Sequence, residues 1–182
     1  MSIFAIGDLH LPGGDKKPMD VFGSHWEHHF ERICADWRSR VKPEDIVLIP
    51  GDISWAMQLG DALSDLRDIA KLPGTILLLR GNHDFWWSSL SQLRACLPEN
   101  MHAVQNDAFD AGTCVFCGTR GWTIPLGQNA TAQDEKLYRR EAMRLEMSLK
   151  DAARMADGRP IFATIRRCCR RRCVRGRSSR VC

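Results

Sequence analysis

Thr75-Ile76-Leu77-Leu78-Leu79-Arg80-Gly81-Asn82-His83-Asp84 runs from an unbroken apolar segment straight into a cluster of ligand-type side chains. The apolar part is too short for a helix. It is apolar at every position rather than at alternate ones, which predicts a strand covered on both faces. Two earlier stretches have the same shape: Ile3 to Ile6 leads into Gly7-Asp8-Leu9-His10, and Ile46 to Ile49 leads into Pro50-Gly51-Asp52. Helical patterns fill the gaps. Ser24 is placed to cap a helix with Trp26, Phe30, Ile33 and Trp37 on one face, ended near Pro43. Asp61 is placed to cap a second, with Leu63, Leu66 and Ala70 inward and Pro73-Gly74 as its stop.

Beyond Asp84 the pattern predicts a short helix after Ser88 and strands near Met101–Gln105 and Cys114–Gly118. A long helix from about Thr131 to Ala156 follows, then a strand opening at Ile161. The expected inner face of the long helix is Tyr138, Ala142, Leu145, Leu149, Ala152 and Ala156. Glu135–Arg139 and Glu146–Lys150 pair along its outside. Strands alternating with helices imply an α/β layered fold, with the later strands forming a second sheet.

Apolar residues make up 44% of the 182-residue chain and charged residues 26%, the balance of an ordinary globular protein. No segment offers the roughly 18 uncharged apolar residues a membrane span requires. The N-terminus lacks a basic leader region, so a cytoplasmic location is expected. The net charge of +4 is uneven: residues 165–182 hold eight arginines and no acid, and the rest of the chain sums to −4. Four of the eight cysteines also lie in that tail.

Each apolar run ends in ligand chemistry: Asp8-Leu9-His10, then Gly51-Asp52, then Gly81-Asn82-His83-Asp84. Ligands gather at the carboxyl ends of strands in open α/β sheets. Carboxylate oxygen with imidazole nitrogen suits borderline divalent metals such as Mn, Fe, Zn or Ni. An aspartate between two cations can bridge them, as two-metal phosphoryl-transfer sites require. Any one cluster alone reads as a turn or helix cap. Three in series, each after an apolar strand, read as a metal site.

The order D-x-H, G-D, G-N-H-D resembles the calcineurin-like metallophosphoesterases. The text around Ile49–Trp55, Arg80–Trp87 and Cys117–Trp122 is similar to a bacterial branch of predicted phosphohydrolases. The resemblance spans about residues 1–164. It implies two packed sheets flanked by helices and hydrolysis of phosphomonoesters or phosphodiesters at a dinuclear centre. It implies that Asp8 and His10 bind the first of two divalent metals, Asp52 bridges, and Asn82 binds the second. His83 would stabilise charge or protonate the leaving oxygen, with Asp84 orienting it. Arg120 is a candidate contact for the substrate phosphate.

The family pattern also asks for a histidine after the strand opening at Ile161 and a later G-H-x-H. The last histidine here is His102. Residues 165–182 therefore read as an out-of-frame tail on a C-terminally incomplete domain. On that reading the missing strands leave apolar surface uncovered. The alternative is a non-catalytic remnant whose arginines bind nucleic acid non-specifically. Cys114 and Cys117 read as buried thiols, His25, His28 and His29 as a solvated helix face, and Trp55, Trp86, Trp87 and Trp122 as either pocket wall or core.

Overall fold

The computed structural model describes residues 1–14, 19, 23–122, 124–125 and 131–165. Three of the expected strands form where the apolar runs lie: β1 (Ile3–Ala5), β2 (Ile46–Ile49) and β3 (Thr75–Leu78). With β4 (Met101–Ala103) they make a parallel sheet in the order β1-β2-β3-β4. Both faces of β2 and β3 are covered, which is why those strands are apolar throughout. Val47, Ile49, Ile76 and Leu78 pack under α1 (His29–Arg40), α2 (Leu59–Ala70) and α3 (Leu90–Cys96) against Trp37, Leu66, Ile69 and Leu93. Ile46, Leu48 and Leu77 meet Cys114 and Phe116 on the other side.

That second layer is a three-stranded sheet of β5 (Ala108–Asp110), β6 (Val115–Thr119) and β7 (Ile161–Ile165), with β5 antiparallel and β7 parallel to β6. The helix α4 (Ala132–Ala156) covers its outer face through Ala152 and Ala156 on Val115 and Cys117. The layers thus run helix, sheet, sheet, helix.

Several local expectations are corrected. Ser24 opens a single 3-10 turn (Ser24–Trp26), and α1 starts five residues later behind a left-handed His28. Gln58 rather than Asp61 precedes α2, whose buried residues are Ala62, Asp65, Leu66 and Ile69. The hairpin strand β5 had no clear signal of its own. Thr131 does cap α4, in a reciprocal capping box with Asp134. Its inner face, however, is Asp134, Glu141, Ser148, Ala152 and Ala156, while Tyr138, Ala142 and Leu149 are exposed. Glu141 and Ser148 point inward because the sheet beneath needs hydrogen bonds there. Gly118 N donates to Ser148 Oγ at 2.8 Å, and Ser148 Oγ donates to the Asp107 carbonyl.

Among the described residues, apolar side chains at two strands are left partly uncovered. Ile3 on β1 shares its sheet face with buried Ile46, and Phe162 on β7 stacks on Phe116, yet they remain 37% and 40% exposed.

Candidate metal centre

The polar clusters meet on one rim because β1, β2 and β3 are parallel neighbours. Their loops are tied by backbone hydrogen bonds: Asp8 N to Gly51 O at 3.1 Å, His10 N to Asp52 O at 3.0 Å, and Leu11 N to Ile53 O at 2.9 Å. Asp8, His10 and Asp52 all adopt left-handed backbone, with φ of 59°, 47° and 52°. Such conformations cost about 1–3 kcal/mol each away from glycine and persist where surrounding bonds over-determine them. Gly51 is a glycine by necessity: at its φ of 109° a Cβ would lie 2.4 Å from the Cα of Gly81, so the second and third loops touch.

The result is convergence. Ligand atoms of Asp8, His10 and Asp52 lie within 4.8 Å of one another. Asp52 is 2% exposed, and its Oδ1 accepts from the His83 amide at 3.0 Å, which brings the third loop against the same carboxylate. The Asn82 Oδ1 is buried and accepts no hydrogen bond, and the His10 Nδ1 is in the same position. Buried polar atoms are nearly always paired, so an unpaired oxygen on the loop whose His83 amide bonds Asp52 fits a cation ligand. The donor set suits the divalent metals expected.

His83 stands at the edge of this cluster. Its ring centroid is 6.1 Å from that of His10 and 5.0 Å from that of Trp55, and Trp55 stacks on His10 at 4.8 Å. Trp55 is therefore a wall of the site. Trp86 and Trp87 are core residues, each 1% exposed.

Asp84 does not orient His83, which corrects the expectation. Its carboxylate accepts from the amides of Asp52 (2.9 Å), Ile53 (2.8 Å), Ser54 (3.3 Å) and Gly81 (2.7 Å), and from Trp86 Nε1 (3.1 Å). Burial pushes its pKa up, and the amide donors pull against that. With five donors on two oxygens, Asp84 is a clamp between the second and third loops.

Arg120 follows β6 of the second sheet, its guanidinium 5.1 Å from the centroid of Trp122. Arg80 was not singled out from sequence. The Nε of each arginine is buried and unpaired. Burial lowers the Arg80 pKa, and the Arg120 guanidinium adds to that effect. Two adjacent guanidiniums with spare donors suit an anion.

Cys114 and Cys117 are buried free thiols, as expected. His28 is solvent-exposed beside Glu31 at 3.5 Å. His29 is not on a solvated face: its Nε2 lies 2.9 Å from the Leu9 carbonyl. The arginine- and cysteine-rich residues 166–182, with every expectation about them, lie outside the described residues.

Comparison with known proteins agrees with this geometry. A model of the calcineurin-like phosphoesterase family matches residues 1–147, and the chain belongs to that family. No curated protein matches it in sequence. Among solved structures it is similar to a protein of unknown function, AQ665 from Aquifex aeolicus. The two share 18% identity at a TM-score of 0.45, over 91% of this chain and 90% of that one. No helix among the described residues is long and apolar enough to cross a membrane.

Proposed function

We propose that this chain carries the site of a metal-dependent hydrolase of phosphomonoesters or phosphodiesters, built for a dinuclear centre on Asp8, His10, Asp52 and Asn82. The observation that carries the reading is the convergence of Asp8, His10 and Asp52 ligand atoms within 4.8 Å, and the unpaired Asn82 Oδ1 on the loop that bonds Asp52 supports it. Divalent cations bound there would polarise a phosphoryl oxygen and offset charge developing at phosphorus.

The protein's own part is positioning and proton management. Asp8 and His10 would hold one cation, Asn82 would hold a second, and Asp52 would be shared between them. The Trp55 ring, stacked on His10 and tilted over His83, restricts both imidazoles. His83 hydrogen-bonds the developing charge or gives its proton to the departing oxygen. Arg80 and Arg120 orient the non-reacting phosphoryl oxygens through their unpaired donors. The chain has no histidine after His102, so the donors present serve one cation better than two.

The test is metal titration and hydrolysis with the 182-residue chain and Asp52→Asn. The expected outcome is one weakly bound Mn²⁺ per chain and near-background hydrolysis of p-nitrophenyl phosphate and its bis-ester. Asp52→Asn should lose the cation, because an amide is a poor stand-in for a bridging carboxylate. Unchanged Mn²⁺ binding in Asp52→Asn would sink the assignment. Two bound metals with rapid turnover in the parent chain would show that the later histidines are dispensable.

A further inference from the structure

The Leu9 carbonyl lies between the two ligand-bearing residues of the first loop. Leu9 is 1% exposed, and both its neighbours are in left-handed backbone. The amides of Asp8, His10 and Leu11 bond the second loop, which fixes one edge of this segment. The Leu9 oxygen turns the other way, toward α1, and meets His29 Nε2 at 2.9 Å. His29 Nδ1 faces the Trp26 carbonyl at 3.2 Å. A carbonyl only accepts, so a ring nitrogen bonded to it must carry a proton; the neutral ring can donate to one of the two, the doubly protonated ring to both. The Trp26 ring sits against His29 at 5.4 Å and reaches to 6.4 Å from His10.

We propose that His29 is a positioning residue for the metal centre: from the first turn of α1 it donates to the Leu9 carbonyl and so sets the peptide plane that joins Asp8 to His10. The proposal rests on the reading of Asp8 and His10 as metal ligands. The physical reason is over-determination. Two consecutive ligands in left-handed backbone relax unless the peptides between them are held at both ends. The second loop holds the amides, and His29 is the side chain that holds the intervening carbonyl. Without it, a buried carbonyl loses its partner and the loop gains freedom to turn. His29 itself binds no cation in this arrangement, because both its nitrogens are engaged with carbonyl oxygens.

Two variants separate donation from packing. His29→Phe keeps a ring against Trp26 and removes the donor. His29→Gln keeps an N–H at about the reach of Nε2. The full chain and both variants are titrated with Mn²⁺ alone, and amide hydrogen exchange over residues 8–11 is followed without metal. His29→Phe is expected to weaken Mn²⁺ binding up to about tenfold, the scale of one hydrogen bond, and to speed exchange in 8–11. His29→Gln is expected to stay close to the parent in both. Parent-like binding and exchange in His29→Phe would overturn the proposal, as would equal losses in the two variants. Should His29→Phe fail to fold, His29→Gln decides: parent-like values are required, and a loosened 8–11 segment overturns the idea. If the parent binds no Mn²⁺, the metal reading fails. The positioning proposal then stands or falls on exchange alone.

Discussion

Asp84 and Glu141 are both buried carboxylates holding a loop at the carboxyl end of a strand, one for each sheet. Asp84 is three residues from one of its donors and thirty or more from three others, so it staples two consecutive crossovers of the first sheet together. All but one of its donors are backbone amides. Glu141 reaches down from α4 to the end of β6, where it accepts from Thr119 Oγ1 at 2.6 Å and Gly121 N at 3.1 Å, and it also pairs with Arg144. The first-sheet rim is locked from within its own loops. The second-sheet rim is held by a helix that lies outside it. The ligands expected to bind metal all belong to the internally locked rim, whereas Arg120 belongs to the other.

The sharpest way to break that comparison is Asp84→Ala. It strands the amides of Asp52, Ile53, Ser54 and Gly81 at once. Losing one partner of a buried charged cluster costs about 3–5 kcal/mol. Urea unfolding should show a loss on that scale, together with loss of Mn²⁺ binding, because Asp52 is no longer held. A loss under about 1 kcal/mol would mean that the loops are held by other bonds and the clamp is redundant.

Glu141→Ala should cost less, about 1–3 kcal/mol, since two loop donors lose an acceptor and Arg144 can turn to solvent. Mn²⁺ affinity should stay within a factor of about three of the parent, a difference under 1 kcal/mol. Co-loss of Mn²⁺ affinity would erase the distinction between the two rims.

The smallest effect belongs to the outer edge of the second sheet. Asp110 is hydrogen-bonded by Arg159 and by the Gly112 amide, which pull its pKa down to about 2. A carboxylate depressed by folding stabilises the fold above its ordinary titration range, and the contribution is lost as pH falls toward the folded value. Asp110→Asn should therefore melt slightly below the parent at pH 7, with the gap closing between about pH 4 and pH 2. The pair is exposed enough for the gap to shrink in high salt as well. A gap that widens on acidification would contradict the assigned direction.

The sequence by itself determined the three parallel strands, the order of ligands at their ends and the span of α4. These are local properties. An apolar run that must be covered on both faces and a glycine where loops touch are each written within a few residues. Tertiary structure decided what lies across the layers. The apolar spacing in α4 pointed to Tyr138 and Leu149, but the sheet is met by Glu141 and Ser148, whose polar atoms answer amides and hydroxyls of β6 and its loop. The motif assigned Asp84 to His83, but the amides of Asp52, Ile53, Ser54 and Gly81 claim it instead. His29 read as solvated because the carbonyl it serves is twenty residues away, and Arg80 drew no reading because Arg120, which acts on it, comes from the other sheet. In each case the deciding partner is a backbone group or side chain distant in sequence. A one-dimensional pattern carries residue types and spacing but not the hydrogen-bond vacancies that folding creates.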